Sequence, residues 1–249
     1  MTTALRQASG QARALVIVPT YNERENLPPL VGALLRHPNV RVLIVDDQSP
    51  DGTGTVADGL TRTHAGRVEV MHRTGRRGLG RSYIDGIKVA LREPVDIICQ
   101  MDADFSHDPA LLPTLIDATR DADIVIGSRY VPGGTIVNWP RRRLFLSRFA
   151  NLYVRSITRM TARDCTSGYR CWRRETLASL SLDEFMSDGY AFQVETTFRA
   201  VRKGFKVKEI PIVFRDRTCG KSKISRRVLG EAIRIVWKLR KERDPTVRS

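Results

Sequence analysis

Long apolar runs are missing from this chain: "ALVIV" stops at Pro19, and nowhere do apolar residues extend over the roughly 18 positions of a bilayer-crossing helix. Cysteine is scarce. Cys99, Cys165, Cys171 and Cys219 form no CxxC pair or other zinc spacing, which argues against both a zinc module and a disulfide scaffold. Cys99 sits inside an apolar run, and all four are expected to be reduced and structural. A dinucleotide fingerprint is lacking too, because Tyr83 stands where "GRRGLG" would need its third glycine after Gly78 and Gly80. That stretch reads as a flexible loop ending at a helix start. Acidic residues are outnumbered, 27 Asp+Glu against 42 Lys+Arg, and the resulting charge of +15 predicts attraction to nucleic acid, acidic lipid or a phosphorylated substrate. With 41% hydrophobic residues in 249, disorder is excluded and one large α/β domain with a short appendage is expected.

What the chain does have is alternation. Short β-branched runs occupy 14–19, 40–47, 68–73, 96–104 and 122–130, separated by segments of helical period at 25–35, 53–62 and 82–91 and by a helix opening at Pro109. Such alternation predicts a mostly parallel sheet with helices on both faces, which binds ligands beyond the carboxyl ends of its strands. Those ends read "PTYNE", "DDQSPDGT", "DADFSH" and "GSRY". An edge holding Glu23, Asp46, Asp47, Asp102 and Asp104 repels a phosphorylated ligand unless a divalent cation intervenes. In "DAD" the extended backbone turns Asp102 and Asp104 to one side, about 7 Å apart along the chain. Hard oxygen ligands of this kind suit Mg2+ or Mn2+, whose shells are completed by water and substrate phosphates. The competing reading is an Asp-rich loop preparing an N-cap for the next helix, with Asp108 in that position. His107, beside the motif, reads either as a metal ligand or as a hydrogen-bonding neighbour of one.

Several longer motifs occur in a fixed order: "VIVPTYNERENLPPLV", "VLIVDDQSPDGTGTVAD", "RRGLGRSYIDGI", "MDADFSHDP", "DIVIGSRYVPGG", "TSGYRCWRRE", "GYAFQVE" and "FRDRTCGKSK". In this order the chain resembles the family 2 glycosyltransferases, and more narrowly the dolichol-phosphate or polyprenol-phosphate mannose synthases. The stretch "VPGGTIVNWPRRRLFLSRFANLY" is most similar to the bacterial polyprenol monophosphomannose synthases. The resemblance implies a nucleotide-diphospho-sugar transferase (GT-A) fold over 1–223, and the residues that follow, 224–249, read by their own period and charge as a basic amphipathic helix and tail. The resemblance also implies transfer of mannose, with inversion, from GDP-mannose to a polyprenyl phosphate.

On that resemblance Pro19, Tyr21 and Glu23 contact the guanosine end of the donor, and Val45 and Asp47 line the same pocket. Asp102 and Asp104 bind Mg2+ or Mn2+ under the diphosphate, with Ala103 packed against the nucleotide and Asp104 counted as catalytic. Ser106 stands where some relatives carry Gln, so a third protein ligand is a hydroxyl or is replaced by water. Arg217, also counted as catalytic, and Lys223 close over the phosphates. Arg129, Arg143 and Arg148 grip the acceptor phosphate, and Glu195 either orients mannose hydroxyls or caps a polar face. The acceptor is already anionic, with a second pKa of about 6, so no general base is required. The nearest rival is a UDP-glucose-dependent enzyme with the same acceptor, and a nucleotidyltransferase is a more distant one. A basic nucleic-acid-binding protein is a rival of another class, disfavoured because there is no recognition-helix or RNP-like signature and because acidic strand ends repel a phosphate backbone.

A lipid acceptor requires contact with a membrane surface, so the expected location is cytoplasmic and peripheral at the inner face of the cell membrane, with a downstream membrane partner to receive the product. Two segments carry a helical apolar stripe beside basic residues. One, in 224–239, places Ile224, Val228, Leu229, Ala232, Ile233, Val236 and Trp237 on one face. The other, in 141–160, aligns Phe145, Phe149, Leu152 and Tyr153 next to Arg141, Arg142, Arg143 and Arg148. The first is expected to lie on the bilayer. For the second, packing on the protein's own core is an equal alternative.

Overall fold

The computed structural model describes residues 12–185, 187, 189–216 and 235–241. The strands are β1 (Ala14–Thr20), β2 (Val40–Asp46), β3 (Val68–His72), β4 (Ile97–Gln100), β5 (Ile124–Ser128), β6 (Thr135–Val137), β7 (Arg170–Arg173), β8 (Val207–Pro211) and β9 (Val213–Arg215). The helices are α1 (Leu27–Leu35), α2 (Thr53–Thr63), α3 (Leu79–Ala90), α4 (Leu112–Ala118), α5 (Arg141–Thr158), α6 (Arg174–Ala178) and α7 (Gly189–Arg202). Seven strands form the main sheet in the order β3-β2-β1-β4-β7-β5-β8, while β6 and β9 pair as a small parallel sheet. All ladders of the main sheet are parallel except those of β7, which runs antiparallel to both β4 and β5.

Alternate side chains of each strand serve two hydrophobic layers, which is why the central strands read as continuous apolar runs. On one face Leu15, Ile17, Leu43 and Val45 pack with Tyr83 and Ile87 of α3 and with Phe192 and Phe198 of α7. On the other, Val16, Val18, Val42 and Ile44 meet Leu30 and Leu34 of α1 and Leu112 and Leu115 of α4. Helix α3 lies close to the sheet because Gly86 has no side chain: a Cβ there would come within 2.7 Å of Ile17 and 3.1 Å of Val45. That close approach carries Tyr83 beneath the ligand edge.

Register fixes that edge. Thr20 is opposite Asp46 and Ile17 is opposite Gln100, so the segments following β1, β2 and β4 emerge together. The sequence pattern anticipates these strands and most of the helices. It does not reveal β7, whose four residues "RCWR" carry two arginines and no apolar alternation. The arginines are tolerated because Arg170 is hydrogen-bonded on its buried side, and Arg173 ends the strand against the carbonyls of Thr119 and Arg120.

The expected C-terminal helix falls mostly outside the described residues. Within its described part, 235–241, the bilayer assignment is corrected at Val236, which is buried with Ile235 and Leu239 in the core shared with α5 and α7. Apolar residues three or four apart on that turn find a partner surface on the protein itself. Trp237 stays 45% exposed and donates to the Tyr153 hydroxyl at 2.8 Å. No described helix is long and apolar enough to cross a membrane.

Candidate active site

A cavity of about 540 Å³ opens at the carboxyl edge of β1, β2 and β4. One wall is Pro19, Thr20, Tyr21 and Glu23, a second is Asp102, Ala103 and Asp104, and the start of α3 supplies Gly78, Leu79 and Ser82. Three of the non-glycine residues with left-handed backbone, Asn22, Gln48 and Phe105 (φ 61°, 61° and 57°), sit just past these three strands. Strained backbone of this kind persists where surrounding contacts over-determine it, and it concentrates at functional sites.

Not every carboxylate of this edge turns to the cavity. Asp46 is consumed locally: its Oδ1 accepts from the Thr20 hydroxyl at 3.2 Å and the Ser49 hydroxyl at 2.5 Å, which ties the turn after β2 to β1. Asp47 lines the cavity, yet one oxygen pairs with buried Arg73 and the other accepts from the Gly78 backbone N–H at 2.8 Å. This last bond makes the "GRRGLG" stretch an ordered wall and lets α3 begin at Leu79, three residues earlier than its periodicity suggests. Tyr21 carries the Arg77 guanidinium on its ring at 5.1 Å, with a 2.7 Å hydrogen bond to its hydroxyl. Glu23 accepts from the Asn26 side chain at 2.8 Å, which draws its carboxylate toward the first turn of α1.

Val45 is a correction to the expected pocket lining. It is fully buried below the floor of the cavity, against Ile17 and α3, because the strand presents only its last residues at the ligand edge.

Asp102 is held on two sides. The Tyr83 hydroxyl donates to its Oδ1 at 3.2 Å, and the Gly168 backbone comes so close that a Cβ there would sit 3.2 Å from both carboxylate oxygens. Burial, followed by the charge of Asp102, holds the Tyr83 phenol well above its ordinary pKa, so it remains a donor. Asp104 is buried and accepts from the Ser106 backbone N–H at 3.1 Å, while the Ser106 hydroxyl is buried without a hydrogen-bond partner among the described residues. Two carboxylates and an orphaned hydroxyl are hard oxygen donors that fit Mg2+ or Mn2+. Among the described residues no group of three or more His, Cys, Asp or Glu could hold an ion unaided, so an ion here would need phosphate or water to complete its shell. His107 lies beneath, stacked on Tyr169 at 5.1 Å and edge-on to Phe214 at 5.5 Å. Burial lowers its pKa and keeps the ring neutral.

The expected arginines are brought together only in pairs: Arg129 and Arg143 both lie over the Trp139 ring, and Arg129 and Arg148 line one cavity. Arg129, at the end of β5, is buried and gives Asp164 a bidentate pair at 2.7 Å, with a further bond to Thr166. Arg143 pairs with Asp216 at 3.0 Å and lies over the face of Trp139 at 3.9 Å. Arg148 follows Arg143 by five helical positions, about 140° around the axis, and lines a separate cavity together with Arg129. Arg217 and Lys223 lie outside the described residues. Glu195 is fully buried in α7, accepting from Ser187 and pairing with Arg199 at 2.9 Å, so it supports that helix rather than the cavity.

Sequence reasoning missed the segment before β7. Because β7 runs antiparallel, the segment that enters it, 164–169, returns to the ligand edge, where Gly168 meets Asp102 and Asp164 meets Arg129. Arg170 anchors this segment, donating to the carbonyls of Cys165, Ser167 and Gln193; burial lowers its pKa to about 10 and it stays charged. The only available signal was the short motif "TSGYRCWRRE" itself.

Comparison with known proteins agrees with this geometry. Residues 15–180 match the family described as Glycosyl transferase family 2. The chain is 50% identical over 223 residues to the polyprenol monophosphomannose synthase of Mycolicibacterium smegmatis, covering 89% of this chain and 84% of that protein. It is 47% identical over 222 residues to the undecaprenyl-phosphate mannosyltransferase of Micrococcus luteus, covering 89% and 91%. Among solved structures, glucosyl-3-phosphoglycerate synthase from Mycobacterium tuberculosis, in complex with Mn2+, UDP and glucosyl-3-phosphoglycerate, superposes with a TM-score of 0.66 at 16% identity, covering 94% of this chain and 82% of that one. A mannosyltransferase from Pyrobaculum calidifontis in complex with GDP-Man and Mn2+ gives 0.57 at 16% identity, covering 93% and 74%. The architecture is that of the nucleotide-diphospho-sugar transferases, and the chain belongs to glycosyltransferase family 2.

Proposed function

We propose that this enzyme transfers mannose from GDP-mannose to a polyprenyl phosphate with inversion. The observation that carries the reading is the pairing of Asp102 and Asp104 on the wall of a strand-edge cavity, in a chain about half identical to two proteins named for mannosyl transfer to polyprenyl phosphates. Pro19, Tyr21, Glu23 and Asp47 receive the guanosine end, with Arg77 braced on Tyr21 beside them and Ala103 against the nucleotide. Asp102, Asp104 and the Ser106 hydroxyl would hold Mg2+ or Mn2+ together with the donor's phosphates. When bound, the cation offsets the charge that develops on the departing diphosphate. Arg217 and Lys223, outside the described residues, are assigned to the same phosphates.

The acceptor brings its own nucleophile. Its phosphate oxygen attacks the anomeric carbon as the bond to GDP breaks, and the chain's task is to place that oxygen in line behind the sugar. Arg143, on the face of Trp139 beside Arg129, is assigned to the acceptor phosphate, with Arg129 fixing the floor through Asp164. The lipid tail puts the reaction at a bilayer surface. The outward face of α5 supports peripheral docking there: Phe145, Leu146, Phe149 and Leu152 are 70%, 58%, 58% and 59% exposed, a patch beyond what scattered surface apolar residues provide.

The test is a panel of labelled sugar nucleotides, each incubated with a short polyprenyl phosphate and Mg2+ or Mn2+, with the lipid phase counted. GDP-mannose is expected to give the highest kcat/KM. A higher value for UDP-glucose overturns the donor assignment, and release of pyrophosphate instead of GDP overturns the reaction class.

A further inference from the structure

A second cavity, of about 550 Å³, lies between α5 and the segment after β5, apart from the donor cavity and sharing no lining residue with it. Arg148 and Arg155 line it from α5, and Arg163 lines it from the loop beyond that helix. Seven positions apart, Arg148 and Arg155 fall on one helical face, and Asn151 and Leu152 lie on the same face between them. None of these three guanidinium groups pairs with a carboxylate among the described residues, and the Arg155 Nε is buried without any hydrogen-bond partner. Arg129, which also lines it, is already neutralised by Asp164. Three cations that line one concave site, with no carboxylate partner among the described residues, call for an anion with several acceptor oxygens, which the planar guanidinium matches in fork geometry.

The occupant follows from what borders the cavity. Leu152, more than half exposed, belongs both to its lining and to the apolar ridge with Phe145 and Phe149. An anion bound there has an acyl-chain-compatible surface immediately beside it. We propose that this cavity binds the phosphate headgroup of an anionic phospholipid of the bilayer, so that α5 docks with its arginines on headgroups and its aromatic ridge among the chains. The inference rests on the surface-docking reading above and deepens it: the contact is a defined headgroup site rather than a diffuse positive field.

Flotation of the full-length protein with phosphatidylcholine vesicles, with and without phosphatidylglycerol, tests it. Arg155→Gln/Arg163→Gln should weaken the phosphatidylglycerol-dependent partitioning by about thirtyfold, from about 1 kcal/mol for each basic residue near an anionic surface. The charge-matched Arg36→Gln/Arg92→Gln, exposed at the opposite edge of the sheet, should change it little. Both variants should retain the donor KM and the turnover of a short dispersible acceptor, which also establishes that they fold. Equal losses in the two double variants, or none in the first, overturn the site while leaving surface docking intact. A loss seen only with vesicles of phosphatidylcholine and polyprenyl phosphate reassigns the cavity to the acceptor and overturns the proposal. Wild-type protein that floats equally with and without phosphatidylglycerol overturns the headgroup site, and protein that floats with neither vesicle overturns surface docking itself.

Discussion

Replacing Arg129 by methionine separates the acceptor-binding role expected from the sequence from the structural role that the fold gives the same residue. In the structure its guanidinium is committed to Asp164, whose side chain has no solvent exposure, through two bonds of 2.7 Å. Removing one member of a buried pair strands the other charge, at a cost of about 3–5 kcal/mol. For a domain of this size that corresponds to a fall in Tm of roughly 6–20 °C. The double variant Arg129→Met/Asp164→Leu should recover much of the loss, short of about 1–3 kcal/mol for the Arg129 backbone N–H that Asp164 also accepts. The pH dependence has a definite sign. Burial alone would raise the Asp164 carboxyl, but the Arg129 charge and hydrogen bonds reverse this and hold it below its usual value. Its stabilising contribution is therefore full above the unfolded carboxyl pKa and is lost as pH falls through the lowered folded value. Without Arg129 the folded carboxyl is raised, so the variant loses stability as pH climbs above the unfolded value. The gap between wild type and variant should widen from about pH 4 to about pH 7 in denaturant titrations. A single variant with a wild-type midpoint at neutral pH and a raised KM for the acceptor alone would refute the structural role and give Arg129 to the acceptor phosphate.

Asp104→Asn should lower metal-dependent turnover on the order of a hundredfold while leaving far-UV circular dichroism unchanged; near-normal activity in metal-depleted buffer would end the metal reading. Tyr83→Phe removes the donor to Asp102, and Mn2+ affinity, read as free Mn2+ by electron paramagnetic resonance, should weaken roughly tenfold; unchanged affinity would mean that Asp102 is oriented by other contacts. Gly168→Ala sets a methyl 3.2 Å from both Asp102 oxygens, so the carboxylate must shift by a few tenths of an ångström. Turnover should fall roughly tenfold with a denaturation midpoint little changed, and wild-type kinetics would show that the Asp102 position tolerates the shift.

Strands β1, β2 and β4 were legible because strands buried on both faces are written as near-continuous apolar runs, and each ended within a few residues of the expected point. Helix starts were less legible where a cap comes from afar. α3 begins at Leu79 because Gly78 donates to Asp47, 31 positions earlier, and no local pattern encodes that bond. β7 was invisible for a related reason: its arginines are stabilised by carbonyls of Cys165, Gln193 and Thr119, partners that exist only once the chain has folded.

The same physics explains why the acidic edge was easy to notice and hard to apportion. A sequence reports that Asp46, Asp47, Asp102 and Asp104 end neighbouring strands, and it gives them equal standing. Folding then assigns them unequal tasks, since Asp46 closes a turn with Thr20 and Ser49, and Asp47 binds Arg73 and the start of α3. Arg73 reaches Asp47 because it follows β3, paired beside β2, and it also holds Asp85 of α3 at 2.7 Å. One arginine thus compensates the acid nearest the helix and leaves the negative field concentrated at Asp102 and Asp104. Between those two the antiparallel β7 draws the distinction, because it delivers Gly168 against Asp102 alone. Asp102 is therefore a ligand clamped by α3 and the approach to β7, whereas Asp104 is set by its own loop through the Ser106 backbone. Substitutions at Tyr83 and Gly168 should accordingly disturb one carboxylate without the other, a separation that a two-residue spacing in the sequence does not contain.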